Sequence, residues 1–521
     1  IDCRRGNFKK ALDLIDRSLV RNWHHHKARQ LKVSILRHLG RKEEAFDLIA
    51  ESLKIDRFNM GCRFEQYLLT GDDHVLKEMQ RLMHGAAHVY IEYALDFAQA
   101  GLYDEAINLL GGYAATQGEV YPMVHYALGY CHSRKGDTVK ALEYYKKAEQ
   151  DDHSYCFPNR IEEVLVLQDA MKENHEACAK AAYALGNFWY AARQYDNAIA
   201  CWEASAAIDP AFPTVWRNLS LAYYNKRNDP QKAVETLEKA YRLDESDARI
   251  LMELDQLYKR LGRPQAERLA FLESHPAETE SRDDLSIERI TLYNQLGRYE
   301  EAKALIAARK FHPWEGGEGK ITGQYTICHV ELAKIALREH RYADALALLQ
   351  ATDQYPYNLG EGKLINAEEN DIWYYKGLAY RGLGDEENAK LWLHKATQGS
   401  AEPQQAFFYN DAQPDKIFYQ GLAWRALGEE GKARGRFNKL IKHGEKHLFD
   451  HCRIDYFAVS LPDLAIWEDN LDKRNAIHCN YVMGLGYLGL EDRVHAIEYL
   501  DKARALDINH QGAQIHRELC E

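Results

Sequence analysis

Turn signals interrupt this chain roughly every dozen residues, and between them apolar residues recur at the spacing of one helix face. One pattern repeats along the whole length: a turn residue, an acidic or polar pair, an alanine, then apolar residues. It reads Gly40-Arg41-Lys42-Glu43-Glu44-Ala45, then Gly101-Leu102-Tyr103-Asp104-Glu105-Ala106, then Gly136-Asp137-Thr138-Val139-Lys140-Ala141. Later copies centre on Ala198, Ala233, Ala302, Ala345, Ala389, Ala433 and Ala496. Twelve residues before many of these alanines stands a second small residue: Ala94, Gly129, Gly186, Ala333, Gly377, Gly421 and Gly484. Three residues after that position comes an aromatic in Phe97, Trp189, Tyr380, Trp424 and Tyr487. Two small residues on paired helices let the backbones approach, and the aromatic fills the space beside the crossing. The pattern predicts an all-α chain of stacked helical hairpins.

These are the features of the tetratricopeptide repeat (TPR), which the chain resembles over nearly all its length. The copy from Trp216 through Asp244 is the clearest, with Trp216, Leu219, Tyr223 and Ala233 in place. The resemblance implies a right-handed superhelical solenoid of about eleven or twelve hairpins. Alanine spacing divides it. The steps Ala11 to Ala45, Ala106 to Ala141 and Ala198 to Ala233 are 34, 35 and 35, whereas from Ala302 onward they become 43, 44, 44 and 63. Two domains follow: residues 1–296 as scaffold, and residues 297–521, with long inserts between hairpins, as the ligand-binding half. The wide intervals after Ala45 and Ala141 predict degenerate hairpins around Cys62–Leu82 and Phe157–Lys172. Gly6-Asn7-Phe8-Lys9-Lys10-Ala11 already reads as the turn and second helix of a hairpin. The native chain is therefore expected to extend N-terminally.

Composition narrows the partners. Of 521 residues, 46% are hydrophobic and 28% charged, a globular balance. A net charge of −12 offers no basic field for a phosphate backbone, which argues against nucleic acid. No apolar run approaches the roughly 18–20 residues that span a bilayer, so a membrane is not expected either. Ten cysteines without any Cys-x-x-Cys pair suggest neither a disulfide framework nor a zinc ribbon, and fit a cytoplasmic protein. His447 and His451 have metal spacing, with Cys452 following, but lack an acidic third ligand at fixed spacing. No metal and no cofactor is expected.

The inserts carry the unusual chemistry. The first is His312-Pro313-Trp314-Glu315-Gly316-Gly317-Glu318-Gly319-Lys320, and the second, Tyr355-Pro356-Tyr357-Asn358-Leu359-Gly360-Glu361-Gly362-Lys363, echoes it. The third holds Tyr409 and Asp411 and is followed by Tyr419 and Gln420, and the fourth holds Asp455, Tyr456 and Asp463 and leads to His478. Gly-Glu-Gly-Lys is not a phosphate loop, because Ile321 and Leu364 stand where a Ser or Thr would reach magnesium. Three readings of the acids stay open. They cap the following helices while glycine makes the turn. They line a ligand site of His312, Trp314, Glu318, Lys320, Glu361, Lys363, Tyr409, Asp411, Tyr419, Gln420, Asp455, Tyr456, Asp463 and His478. Or Glu315, Glu318, Glu361, Asp411 and Asp455 supply the carboxyl pair of a glycoside hydrolase beside an aromatic platform.

Across about 297–521, four motifs resemble a narrower family. They are Trp314 through Lys320, its echo Gly360 through Lys363, Tyr419-Gln420-Gly421-Leu422, and Asp455 through Asp463. That family comprises large bacterial TPR proteins in which a β-rich domain of unknown function precedes the repeats. The resemblance implies a bacterial, cytoplasmic protein and brings no established activity. The expected function is a binding scaffold that holds a protein, peptide or other polar ligand in its concave groove and inserts. Its alternative is a carbohydrate-binding or glycoside-hydrolysing component, with the scaffold favoured over an enzyme.

Overall fold

A computed structural model describes residues 1–314, 316–365, 367–405, 411, 413–453 and 466–521. Among them lie 28 α-helices, two short 3-10 helices and no strand. Helices pair in chain order as hairpins, for example Ala87–Ala100 with Tyr103–Ala114 and Pro414–Ala426 with Glu430–His447. The interval around Cys62–Leu82 forms the hairpin Met60–Thr70 and Asp73–Met83. The interval around Phe157–Lys172 forms a single helix, Ile161–Glu173, packed between its neighbours without a second arm.

The small residues sit where the pattern requires them. Each repeat alanine from Ala45 to Ala496 is at most 1% exposed. Twelve positions earlier, the small residue faces a large side chain from four positions beyond that alanine. A Cβ on Gly129 would come within 2.4 Å of Tyr145, on Gly186 within 2.4 Å of Trp202, and on Gly377 within 2.7 Å of Leu393. On Gly421 it would come within 2.3 Å of Phe437, and on Gly484 within 2.6 Å of Leu500. The missing side chain on one helix is the space the partner's side chain fills.

The chain forms two compact units, Ile1–Ala222 and Tyr223–Glu521. The first is held by buried polar side chains as well as apolar ones. Arg29 is fully buried, donates to Ser52 Oγ at 2.8 Å and lies over the Trp23 ring at 4.3 Å. Glu105 receives Arg37 at 2.6 Å and His38 at 2.9 Å. Burial acts upward on that carboxyl, but the two hydrogen bonds prevail and hold it at about 2. In the second unit, Tyr375, Phe418, Tyr419, Tyr481 and His516 form one buried aromatic layer.

The compact units divide earlier than the change of repeat period at residue 296. Side chains between Asn225 and Gln295 bond to residues 466–514, so the hairpins that precede the inserts pack with those that follow them. All ten cysteines are free, and nine are buried. Among the described residues no helix is long and apolar enough to cross a membrane.

Two glycines of adjacent helices separate crossing geometry from backbone propensity. Gly421→Leu is expected to lower stability by roughly 1–3 kcal/mol through overpacking against Phe437. Gly435→Ala, in a helix with nothing within 4 Å of its added Cβ, is expected to raise it by about 0.5–1 kcal/mol. Urea unfolding of both variants measures the two signs, and equal effects would contradict the crossing register.

Candidate functional site

Adjacent inserts hold one another. At the root of the first, Asp283 receives Arg309 Nε at 2.9 Å, the His312 backbone N–H at 2.8 Å and the His312 ring at 3.1 Å. Phe311 is buried, and its N–H donates to the Asn358 carbonyl in the second insert at 2.8 Å. Asn358 returns its side-chain amide to the carbonyls of Ile306 and Arg309. Glycine is required twice in this fold-back. A Cβ on Gly317 would lie 2.2 Å from the Trp314 ring, and Gly319 adopts a φ of 75° as it caps helix Lys320–Arg338.

The acids serve these turns. Glu318 accepts the Gly316 N–H at 2.8 Å within its own loop. Glu361 reaches across from the second insert to accept the Gly319 N–H at 2.9 Å, so each insert secures the other. Burial, with the Glu318 charge beside it, raises the Glu361 carboxyl's pKa, against the lowering pull of the Gly319 N–H. Lys363 donates to the Thr352 carbonyl at 2.8 Å and pairs with Glu369 at 2.5 Å.

The chain of contacts continues. Glu368 at the end of the second insert accepts the Ser400 N–H of the third at 3.0 Å. The fully buried Gln420 donates to the carbonyls of Gln398 and Ser400 and accepts Arg436 at 3.0 Å. His478 donates to the Gln404 carbonyl at 2.7 Å, and Gln405 reaches Cys452. Burial lowers the His478 imidazole to about 4, against the raising effect of that carbonyl.

The second unit closes on itself. Arg268, fully buried, is gripped by Asp255 at 2.6 Å and Glu288 at 2.7 Å and donates to Asn509 Oδ1 at 3.1 Å. Asn509 also donates to the Lys259 carbonyl, and its own carbonyl accepts from Gln295 at 2.7 Å. Gln514 donates to the Gln295 carbonyl, and Gln324 meets Gln511 at 3.1 Å. Inside this closure lies a cavity of about 1110 Å³, within the second unit alone. Its described lining holds six basic and six acidic side chains, so its charges balance. Side-chain amides, among them Asn225, Gln256, Gln324 and Gln511, fill the intervals, and Trp314 and Lys320 bring the first insert to the wall.

Of the residues singled out from sequence, Trp314, Glu318, Lys320 and Glu361 come together through the interlocked inserts. Lys320 Nζ stands 5.9 Å from the Trp314 ring, and among the described residues singled out these two line the cavity. His312 and Lys363 brace the loops beside them. Tyr419 lies elsewhere, 3% exposed in the aromatic layer with its hydroxyl 3.4 Å from that of Tyr375. Gln420 straps the third insert, His478 anchors it, and Asp411 accepts Gln413 on its backbone carbonyl. Glu315, Tyr409, Asp455, Tyr456 and Asp463 lie outside the described residues. His447 and His451 pair separately, with Asp450 at 2.6 Å and Asp472 at 2.9 Å. Among the described residues no group of three or more side chains is placed to hold a metal. Sequence reasoning missed Asn225, Arg260, Arg268, Trp467 and Asn509. The first three stand in regular repeats with no unusual motif, and their meaning depends on partners some 200 or more residues away along the chain.

Three stretches, 93–155, 179–248 and 330–403, match the sequence model of a family described as tetratricopeptide repeat. Among solved structures, MamA from Desulfovibrio magneticus RS-1 is 21% identical, covering 38% of this chain and 97% of its own, with a TM-score of 0.23. YrrB, described as a TPR protein with an unusual peptide-binding site, is 15% identical over 46% of this chain and 96% of its own, at 0.18. A chain of the APC/C hetero-tetramer Cut9-Hcn1 is 11% identical over 100% of this chain and 94% of its own, at 0.26.

Cross-capping of the inserts has a measurable cost. Glu361→Ala is expected to lose about 1–2 kcal/mol in urea unfolding, because the Gly319 N–H loses its acceptor, while Glu361→Gln keeps an acceptor and most of the stability. His478 gives a pH signature. It stays neutral when folded down to about 4, whereas the unfolded ring takes a proton near 6.5. Below about 6.5 the unfolded state therefore binds more protons, and stability falls as the pH drops toward about 4. His478→Gln is expected to flatten the stability slope across that window, and an unchanged slope would contradict the neutral, half-buried ring.

Proposed function

We propose that this tetratricopeptide-repeat protein is a binding scaffold, and that its second unit takes a stretch of polypeptide into the cavity. One observation carries the reading: a cavity of about 1110 Å³ whose wall combines side-chain amides with balanced positive and negative groups. Amides offer donors and acceptors in pairs, which suits the alternating N–H and C=O groups of a peptide backbone. Balanced charge suits side chains of either sign and gives no preference for a polyanion. The volume lies just above the roughly 300–1,000 Å³ of small-molecule pockets. Trp314 adds an aromatic surface of the kind that anchors a binding partner.

The glycoside-hydrolase alternative has no observation behind it. Hydrolysis needs two carboxyls flanking a sugar site, about 5–5.5 Å apart for retention or about 6.5–9.5 Å for inversion. Glu318 and Glu361 are instead each engaged by a loop amide, and neither lines the cavity. These two acids hold the inserts in shape.

An array of degenerate peptides tests the scaffold reading. Peptides retained by the wild-type chain are expected to bind at least tenfold more weakly to a Trp314→Ala/Gln511→Ala variant, about 1.4 kcal/mol or more. Retention of full affinity by that variant would move the site away from the cavity.

A further inference from the structure

One wall of the cavity is made by the chain itself in an unusual way. Residues Ile466–Asn470, just before helix Leu471–Gly489, lie against the hairpin region from Tyr224 to Arg260, more than 200 residues earlier. Asn225 grips the segment by its backbone. Its amide nitrogen donates to the Ile466 carbonyl at 2.8 Å, and its oxygen accepts the Glu468 N–H at 2.8 Å. A primary amide that bridges a carbonyl and the N–H two residues along reads backbone irrespective of side chains.

The residue between those two bonds is Trp467. It is 1% exposed, its indole N–H donates to the Glu253 carbonyl at 3.2 Å, and its ring meets Tyr224 edge-on at 5.2 Å. The two acids that follow meet two bases. Glu468 pairs with Lys226, and Asp469 lies 3.3 Å from Arg260. Backbone clamp, aromatic pocket and basic rim are together what a groove needs to recognise a short linear sequence.

We propose that this groove is a recognition site for a partner peptide bearing an aromatic residue followed by two acidic ones, and that residues 466–469 occupy it as an internal copy of that ligand. The inference names the class of peptide taken by the cavity described above, and so rests on the scaffold reading. Tethering gives the internal copy an effective concentration on the order of millimolar, so a free peptide competes poorly until the copy is displaced. A partner with a better aromatic-acidic sequence displaces Trp467, binds Asn225 in its place and frees the wall of the cavity.

The experiment uses the full chain and a fluorescein-labelled peptide of the sequence Ile466–Leu471, read by anisotropy. Trp467→Ala vacates the pocket and is expected to bind the peptide at least tenfold more tightly than the wild type. Adding Asn225→Ala to that variant, or replacing the peptide's Trp by Ala, is expected to remove the gain. If Trp467→Ala does not fold, Glu468→Lys/Asp469→Lys unseats the segment from Lys226 and Arg260 with its aromatic intact, and the same gain is expected. Failure of both variants to fold would make the segment a structural staple and overturn the proposal. So would peptide binding that is no tighter than wild type or is indifferent to Asn225. Wild-type dimers that disappear in Trp467→Ala would identify a second copy of the chain as the occupant, against a partner peptide. If arrayed peptides bind at Trp314 and Gln511 while the vacated groove ignores the aromatic-acidic peptide, only this inference fails. If nothing binds in either assay, the scaffold reading fails with it.

Discussion

The repeat hairpins share a crossing at which one helix must have almost no side chain. Gly129, Gly186, Gly377, Gly421 and Gly484 each stand where a single added carbon would enter a tyrosine, tryptophan, leucine or phenylalanine of the partner helix. The bulk lies on one side of the interface and the vacancy on the other, so the two helices fit in one register only. The pairing of helices within each hairpin follows from that register. It also explains why inserts of widely different length are tolerated. They enter between hairpins, where no crossing has to be preserved.

Those inserts solve a second problem, which long irregular segments always raise: their backbone amides need partners. Several of these partners come from the neighbouring insert, and the rest from within the same loop or from an adjacent helix. Asn358 and Glu361 serve the first insert from the second, Glu368 serves the third from the second, and Gln404 at the third's far end receives His478 from the helix after the fourth. Carboxylates and amides that stand out as candidate chemistry in the sequence are thereby occupied in shaping loops. The chemical interest moves to the inner wall, where Trp314 and Lys320 join amides from several helices.

Buried polar groups set the alignment at which the second unit closes. Arg268, Asp255, Glu288 and Asn509 form a network in which each charge has a counter-charge or an amide. Such a network adds little net stability compared with an apolar contact, but it is intolerant of misalignment, since a shift would leave a charge buried and alone. It fixes which late residues meet which early ones. Trp467 and Asn225 work on the same seam, one by burial and the other by gripping backbone.

The sequence alone determined the helical hairpins, their period, the buried alanines and the positions of the inserts, because these depend on residues close together in the chain. A glycine twelve residues before an alanine is a local statement, and so is a turn with Gly-Glu-Gly in it. The shared phase of the inserts also suggested that Trp314, Glu318, Glu361, Asp411, Tyr419 and Asp455 converge on one region. Trp314, Glu318 and Glu361 do meet, whereas Tyr419 is packed elsewhere. The sequence misassigned meaning to Tyr419 and Gln420, whose neighbouring inserts made them look like ligand groups while packing made one a core aromatic and the other a strap. Asn225, Arg268 and Asn509 carried no signal at all. An asparagine or arginine in a regular repeat looks like any solvated polar residue until the chain returns to it some 240 residues later. Which polar residues end up facing each other across that return is set by accumulated small rotations between many hairpins, and only the tertiary structure adds those rotations up.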